Sequence, residues 1–350
     1  MRRSLAARLV FILAAAWMLA GTGLPQPGAL AAPASAAHSP HSTAAASPEE
    51  DKQLLYSRRM AYYVQMAGWT RLPWNWFAAV DQFERSIQAF RKEKAPGRVL
   101  AITIPPSLWA GWLNPNPQDT NPDTIRFFGG IGQDGNGDGK ADPANDDDVM
   151  VTFLSYFAPY TGSEEDFMHG LWEYYGTDYA VQHIRAFSAI YGTFRRLDLD
   201  EYTFPIPWGY NYTYHNTWGH SRGWGGRRMH EGTDIFAAYG TPVRSVSYGY
   251  VEVVGWNKYG GWRVGIRDLK NVYHYYAHLS GFEKSIRPGV VVKPGQVIGY
   301  VGNSGYGKPG TQGKFPPHLH YGMYKFDGRQ QWAFNPYPSL KVWERADRRR

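Results

Sequence analysis

The spacing of apolar residues changes near residue 199, and this change divides the chain more sharply than any other feature. In the stretches 76–90, 146–157, 163–176 and 178–194, apolar side chains recur every three or four residues, which predicts helices. After residue 199, short runs alternate between apolar and polar residues and are separated by turns, which predicts strands of a mainly antiparallel sheet. We therefore expect an α+β protein of two domains. The first is helical over 55–198, the second is mainly β over 199–343, and a basic tail follows at 344–350.

The N-terminus has the composition of a secretory signal peptide. Arg2, Arg3 and Arg8 precede an apolar run from Leu9 to Ala20, and small residues follow. We assign 1–36 to a signal peptide and 37–54 to a flexible leader. An uncleaved anchor is the alternative, and no later segment is apolar for long enough to cross a membrane. The sequence thus predicts a secreted protein that acts outside the cytoplasm.

Cysteine is absent from the 350 residues, so any metal site must be built from histidines and carboxylates. The formal net charge of +7 includes the arginines of the signal segment. The remaining excess of positive charge suits contact with an anionic polymer such as a bacterial cell wall. No segment resembles a nucleic-acid-binding module, and the sequence leaves the oligomeric state open.

Two histidines, His318 and His320, flank Leu319 in the stretch PPHLHYG. If this stretch is a strand, both imidazoles point to one face while Leu319 points to the other. Two polar side chains on a solvated face would give the same pattern. A metal site is the alternative, and it needs further ligands from elsewhere in the chain.

Such ligands are available in the stretch HEGTD, which contains His230 and Asp234 around Gly232. Together with one histidine of the HLH pair they make three protein ligands, and three ligands with one open position are typical of catalytic zinc. The glycine between them permits a close approach of the backbone to an ion.

A further histidine, His278, ends the predicted strand YYAHLS, where Tyr276 is expected on the same face. Bonding of His278 to a neighbouring carbonyl, in a purely structural role, is the alternative. His274 lies four residues earlier and is interpreted as a wall of the cleft or a surface residue, not as a ligand. The loop from Gly219 to Arg228, rich in Gly, Trp and Arg, is a candidate to line or cover the cleft.

Taken in order, HEGTD, YGTPV, YAHLS, KPGQVIGYVGNSG and PPHLHYG resemble the motifs of the lysostaphin-type zinc metallopeptidases. The resemblance covers about a hundred residues, from Met229 to Met323. It implies that His230, Asp234 and His320 bind zinc and that His278 and His318 are catalytic.

The resemblance also implies a function: a zinc-dependent endopeptidase that hydrolyses peptide bonds of bacterial peptidoglycan with zinc-activated water. A non-catalytic, wall-binding regulator of the same fold is the alternative from another class. Such a regulator would be expected to have lost ligands, whereas all five site residues are present in this chain.

The helical part contains an acidic stretch, GQDGNGDGKADPANDDD, that partly fits a calcium loop. Asp134, Asn136, Asp138 and Asp142 fall at ligand positions, but Asn145 occupies the position of the usual glutamate. A structural Ca²⁺ is one interpretation and a solvated acidic turn is the other.

The same region weakly resembles lytic transglycosylases of the lysozyme-like fold, in which a glutamate ends the first core helix. Glu84 falls near that position and shares a helix face with Val80 and Ile87. Burial would raise its pKa, as a general acid requires. The chain would then also cleave glycan, which makes a bifunctional hydrolase a further alternative. A glutamate paired with a nearby arginine in a structural role is the competing interpretation.

Overall fold

The computed structural model describes residues 47–92, 97–223 and 228–349. The predicted signal peptide and residues 37–46 of the predicted leader lie outside the described residues. Residues 47–54 were expected to belong to that flexible leader, and this is wrong, because a helix begins at Pro48. Its N-terminus is fixed by a capping box in which Ser47 and Glu50 bond to each other's backbone N–H groups.

Helices occupy the first part of the chain and return once at its end. They are α1 (Pro48–Gly68), α2 (Trp74–Arg91), α3 (Pro106–Trp109), α4 (Pro122–Phe127), α5 (Asp146–Phe157), α6 (Glu164–Tyr175), α7 (Asp178–Phe194) and α8 (Tyr337–Asp347). A short 3-10 helix follows α5 at Ala158–Tyr160. The four helices predicted from apolar spacing correspond to α2, α5, α6 and α7 and are confirmed. Ser163 caps α6, and Gly176 ends this helix with a positive φ.

The sequence did not predict α1 and α8. Only Tyr63 and Met66 are buried in α1, so its apolar pattern is weak. α8 includes residues 344–347, which were assigned to the basic tail, and this assignment is wrong. Glu344 is buried there and accepts hydrogen bonds from the hydroxyls of Tyr212 and Tyr214, which fixes the helix against the sheet.

The strands form a mainly antiparallel β structure, as predicted. They are β1 (Tyr212–Tyr214), β2 (Ser221–Arg222), β3 (Arg228–Met229), β4 (Thr233–Ala237), β5 (Pro242–Arg244), β6 (Gly249–Asn257), β7 (Gly261–Arg267), β8 (Val272–Phe282), β9 (Val291–Val292), β10 (Val297–Val301), β11 (His318–Phe326) and β12 (Gln331–Phe334). The large sheet has the order β1-β4-β11-β8-β7-β6-β9. β12 pairs with β11, β10 pairs with β5 and β8, and β2 and β3 form a separate hairpin.

The helices and the sheet meet at the far end of β11. Phe326, the last residue of that strand, is buried among aromatic side chains of the helical part. Its ring centre lies 4.7 Å from His183 and 5.6 Å from Tyr179 on α7, and 6.4 Å from Phe83 on α2. The strand that carries the HLH pair is therefore anchored in the helical core.

Among the described residues, no helix is long and apolar enough to span a membrane.

Candidate metal centre

The HLH pair lies at the start of β11, so the predicted strand is confirmed. Leu319 is completely buried in the core of the sheet. The alternation of the strand therefore turns His318 and His320 to the opposite face, where both line one cleft. The pleat thus places two imidazoles side by side, as the spacing predicts.

Asp234 and His320 face each other across neighbouring antiparallel strands, β4 and β11. His320 Nδ1 is 3.0 Å from Asp234 Oδ1 and 2.9 Å from His230 Nε2. His230 Nε2 is in turn 3.1 Å from Asp234 Oδ1. The three predicted ligands are brought together although 90 residues separate His230 from His320.

Gly232 makes this arrangement possible. A Cβ atom at this position would lie 2.5 Å from Cε1 and 2.8 Å from Nε2 of His320. The imidazole of His320 therefore packs directly on the backbone of the HEGTD segment. The glycine was expected to allow close approach to an ion, and in the structure it allows close approach of a ligand side chain.

The donor set fits zinc. Nitrogen and carboxylate ligands lie about 2.0–2.2 Å from zinc, so ligand atoms in a tetrahedral site are about 3.3 Å apart. The three donor atoms described above form a triangle only slightly smaller than this. In the described part of the chain, no other three His, Cys, Asp or Glu side chains come together in this way. The site thus offers three ligands and an open side toward the cleft.

Neighbouring groups orient these ligands. His230 Nδ1 lies 2.8 Å from the carbonyl oxygen of Thr217. A carbonyl can only accept, so Nδ1 carries the hydrogen and Nε2 is left free for a metal. Arg222 pairs with the second carboxylate oxygen, Oδ2, of Asp234. Burial alone would raise the pKa of Asp234, but the adjacent imidazoles of His230 and His320 hold it well below its usual range, so the carboxylate stays ionised.

His278 reaches the same cleft through an irregularity of β8. Val264 of β7 pairs with Tyr276, whereas Trp262 pairs with Leu279, so β8 contains one extra residue. His278 adopts a left-handed backbone conformation there, with a φ of 62°. The bulge reverses the alternation of side chains, and His278 lines the cleft.

Because of this bulge, two predictions about β8 are wrong. Tyr276 was expected on the face of His278, but it is fully buried in the core of the sheet. His274 was interpreted as a cleft wall or surface residue, but it is also fully buried. Its ring bonds to Asp268 and to the hydroxyl of Tyr321 beneath the sheet. Besides His278, the side chains of β8 that line the cleft are Tyr273 and Tyr275.

His278 and His318 have the same hydrogen-bonding arrangement. The Nδ1 atom of His278 lies 2.8 Å from the carbonyl oxygen of Ser304, and that of His318 lies 2.9 Å from the carbonyl oxygen of Pro316. In each ring the hydrogen is therefore on Nδ1, and Nε2 is unprotonated. The two ring centres are 4.8 Å apart. Burial lowers the pKa of both imidazoles, most strongly that of His278, so both are neutral near pH 7.

The cleft around these side chains has a volume of about 830 Å³. Part of the segment Gly219–Arg228 lines it, as proposed from the sequence, and residues 224–227 lie outside the described residues. The sequence analysis did not identify several other lining side chains, namely Tyr259, Arg263, Tyr273, Tyr275, Tyr306, Lys314, Phe315, Tyr324 and Gln331. Alternation along β11 could have indicated Tyr324, whereas the bulge in β8 conceals Tyr273 and Tyr275, and no local pattern marks Arg263.

The structure does not support the calcium loop. The carboxylates of Asp134 and Asp138 accept hydrogen bonds from backbone N–H groups of their own turn, at Gly137, Gly139 and Lys140. Asp142 bonds in the same way to Ala144. These carboxylates do not form a cluster of three donors among the described residues. Asn136 donates to Asp138, so the segment is a turn stabilised by its own side chains.

Glu84 is buried, as predicted, and burial raises its pKa to about 7. The positive charge of Arg91 opposes this shift and lowers the pKa of Glu84. The carboxylate of Glu84 also accepts hydrogen bonds from the hydroxyls of Thr103 and Tyr175, at 2.9 and 2.7 Å. Glu84 does not line the cleft that contains the histidines. The raised pKa is thus a property of a packed core position.

Comparison with known proteins identifies the class to which this fold and site belong. The model of peptidase family M23 matches residues 228–336. The chain is 53% identical over 294 residues to the L-Ala–D-Glu endopeptidase of Bacillus subtilis (strain 168), covering 83% of this chain and 90% of that protein. The chain therefore belongs to peptidase family M23 and is a metallopeptidase, which confirms the lysostaphin-type resemblance.

A more distant relative matches a smaller part of the chain. Lysostaphin of Staphylococcus simulans is 36% identical over 115 residues, which is 32% of this chain and 22% of lysostaphin. The solved structure of that protein superposes with a TM-score of 0.32 at 31% identity, over 41% of this chain and 54% of the lysostaphin chain. The match to the B. subtilis protein is much longer and extends into the helical part. The likeness of that part to lytic transglycosylases stays a prediction.

Proposed function

We propose that this protein is a zinc-dependent endopeptidase that hydrolyses the bond between L-Ala and D-Glu in the stem peptides of bacterial peptidoglycan. The observation that carries the proposal is the convergence of His230, Asp234 and His320 beside two further histidines in one open cleft. The extent of identity to the B. subtilis L-Ala–D-Glu endopeptidase, over both parts of the chain, supports this choice of bond.

His230, Asp234 and His320 would hold the ion. When bound, zinc supplies a Lewis acid that polarises a carbonyl and lowers the pKa of water to about 7. The ionised carboxylate of Asp234 neutralises part of the charge of the cation. The carbonyl of Thr217 fixes the ring of His230 in the tautomer that leaves Nε2 free.

His278 and His318 are proposed as the catalytic residues. Their unprotonated Nε2 atoms can take a proton from water, and the resulting imidazolium can stabilise negative charge on the peptide oxygen or protonate the leaving amine. Their burial favours the neutral ring that a base requires. Because Nδ1 of each ring is held by a backbone carbonyl, both rings have a fixed orientation before substrate binds.

We further propose that the chain is exported and acts at the cell wall. The composition of residues 1–36 and the wall substrates implied by the family support this location. In this proposal the helical domain, 55–198 in the boundaries predicted from sequence, positions the peptidase domain. The burial of Phe326 among side chains of α2 and α7 supports such a role.

Metal content and hydrolysis measured together test the proposal. The purified chain should contain one zinc per molecule and release new amino termini from a stem peptide, and a chelator should abolish this release. The His230→Ala variant should lose both zinc and activity while keeping its circular dichroism spectrum. Hydrolysis and zinc content that both persist in this variant would contradict the assignment.

The same experiment separates the alternatives. Bound zinc without peptide hydrolysis would favour the non-catalytic, wall-binding regulator. The bifunctional hydrolase is tested by comparing the glycan fragments released by the wild type with those released by Glu84→Gln. Since Glu84 is buried and bonded to Thr103 and Tyr175, we expect no glycan products that depend on it.

A further inference from the structure

Arg263 lies on β7 and lines the cleft. The sheet order β4-β11-β8-β7 gives a row of side chains from Asp234 through His320 and His278 to Arg263. Neighbouring strands are about 4.8 Å apart, so the backbone of Arg263 lies about 10 Å from that of His320. An extended peptide advances about 3.3 Å per residue. Arg263 is therefore within reach of a side chain next to a bond held at the metal.

The surroundings of Arg263 suit an anion. Its guanidinium carbon lies 6.0 Å from the centre of the Tyr275 ring, and that ring lies 6.0 Å from the ring of His320. The Nε atom is buried and has no hydrogen-bond partner in the described part of the chain. No carboxylate among the described residues pairs with this guanidinium. Arg263 thus lines the cleft with a positive charge that no carboxylate neutralises, and its guanidinium is held by a hydrogen bond to the hydroxyl of Tyr275.

The other cationic side chains that line the cleft already bind neighbours. Arg222 pairs with Asp234, Arg228 donates to the hydroxyl of Tyr306 at 2.7 Å, and Lys314 donates to the carbonyl of Tyr306 at 2.7 Å. The charge of Arg222 is balanced by the carboxylate of Asp234. The contact of Arg228 fixes Tyr306 against the β2–β3 hairpin, and that of Lys314 closes the loop between Tyr306 and Lys314. Arg263 is therefore the cation best placed to receive an anionic group of the substrate.

A substrate cut between L-Ala and D-Glu presents such a group. An endopeptidase cuts within a chain, so one carboxyl of D-Glu continues the chain and the other is a free carboxylate next to the scissile bond. We propose that Arg263 binds this carboxylate and is a specificity-determining residue for D-Glu after the cleaved bond, an inference that rests on the proposed function. Arginine suits this role because its planar fork of donors matches the two oxygens of a carboxylate.

Paired substrates test this assignment. The zinc-loaded protein is given two synthetic stem peptides that differ only in the D-Glu group, a free carboxylate in one and the neutral carboxamide in the other. Loss of a hydrogen bond between charged groups costs about ten- to a hundredfold in kcat/KM, so the wild type should prefer the carboxylate by this factor. Arg263→Gln should lose the preference by slowing hydrolysis of the carboxylate peptide alone. Arg263→Lys, which keeps the charge, should retain part of the preference for the carboxylate peptide.

Two control variants that lose the same charge are compared with Arg263→Gln. Arg228→Gln, within the cleft, should change both rates by one factor, and Lys293→Gln, exposed outside the cleft, should change neither. A carboxylate preference that survives in Arg263→Gln would overturn the inference, as would equal hydrolysis of both peptides by the wild type. Cleavage of neither peptide by the zinc-loaded wild type would overturn the proposed bond itself, and this inference with it.

Discussion

Asp234 and His320 are cross-strand partners, and Oδ1 of Asp234 lies 3.0 Å from Nδ1 of His320. A pair in register on adjacent strands has little freedom to separate, because the backbone hydrogen bonds of β4 and β11 fix both Cα positions. The third candidate ligand, His230, precedes β4 and is held by the carbonyl of Thr217. The candidate metal centre is therefore built on rigid backbone, so small changes in the residues beneath it should strongly affect metal binding and activity.

Gly232→Ala should reduce zinc affinity and kcat/KM. The added methyl group would lie 2.5 Å from Cε1 of His320, so the imidazole must move. A displacement of about 1 Å at a reacting centre can cost about a hundredfold in rate. Zinc titration and peptide hydrolysis measure the two effects. Gly281→Ala is the control, because nothing lies within 4 Å of its added methyl group. Equal behaviour of the two variants would contradict the packing of His320 on Gly232.

His278→Asn should remove catalysis while leaving the metal in place. Asparagine tolerates the left-handed backbone of this position, so the bulge of β8 is expected to persist. Loss of a general acid–base group lowers kcat by about 10²- to 10⁴-fold. The measurement pairs kcat with zinc content. Loss of zinc in this variant would place His278 among the ligands and contradict the assignment, and full activity would exclude a catalytic role.

Glu84→Gln should stabilise the protein at high pH. Burial raises the pKa of this carboxyl from 4.5 to about 7, so the folded state binds the proton more tightly than the unfolded state. The stabilisation is complete below pH 4.5 and is lost as the pH rises through 7. Glutamine cannot ionise, so the variant should match the wild type near pH 4 and exceed it near pH 8 by on the order of 3 kcal/mol.

Urea unfolding at several pH values measures this difference. Glu165→Gln, exposed on α6, serves as the matched control and should leave the pH dependence unchanged. Parallel stability curves for Glu84→Gln and the wild type would show that the carboxyl titrates normally in the folded protein.

Phe326→Ala should destabilise the protein by about 3–5 kcal/mol, the usual cost of emptying a buried aromatic site. Phe326 is 1% exposed and packs against α2 and α7, where the helices meet the sheet. Trp332→Ala, on the same hairpin but 52% exposed, should cost about 1 kcal/mol or less. Denaturant unfolding compares the two variants. A similar small cost for both would show that the helical part does not anchor β11.

The sequence by itself predicted the candidate ligand set and determined the local structure that presents it. Alternation around Leu319 was enough to place His318 and His320 on one face, because strand periodicity is a local property of the backbone. The α2, α5, α6 and α7 helices followed in the same way from their apolar spacing. The order of five motifs then identified the peptidase family before any contact was known.

Only the tertiary structure decided which other side chains share the cleft. The extra residue in β8 reverses the alternation at His278, so Tyr276 and His274 enter the core although the sequence predicted otherwise. The position of Arg263 depends on the order of strands in the sheet, which brings β7 next to β8. A bulge and a strand order are set by packing between segments far apart in the chain, and no local periodicity records them.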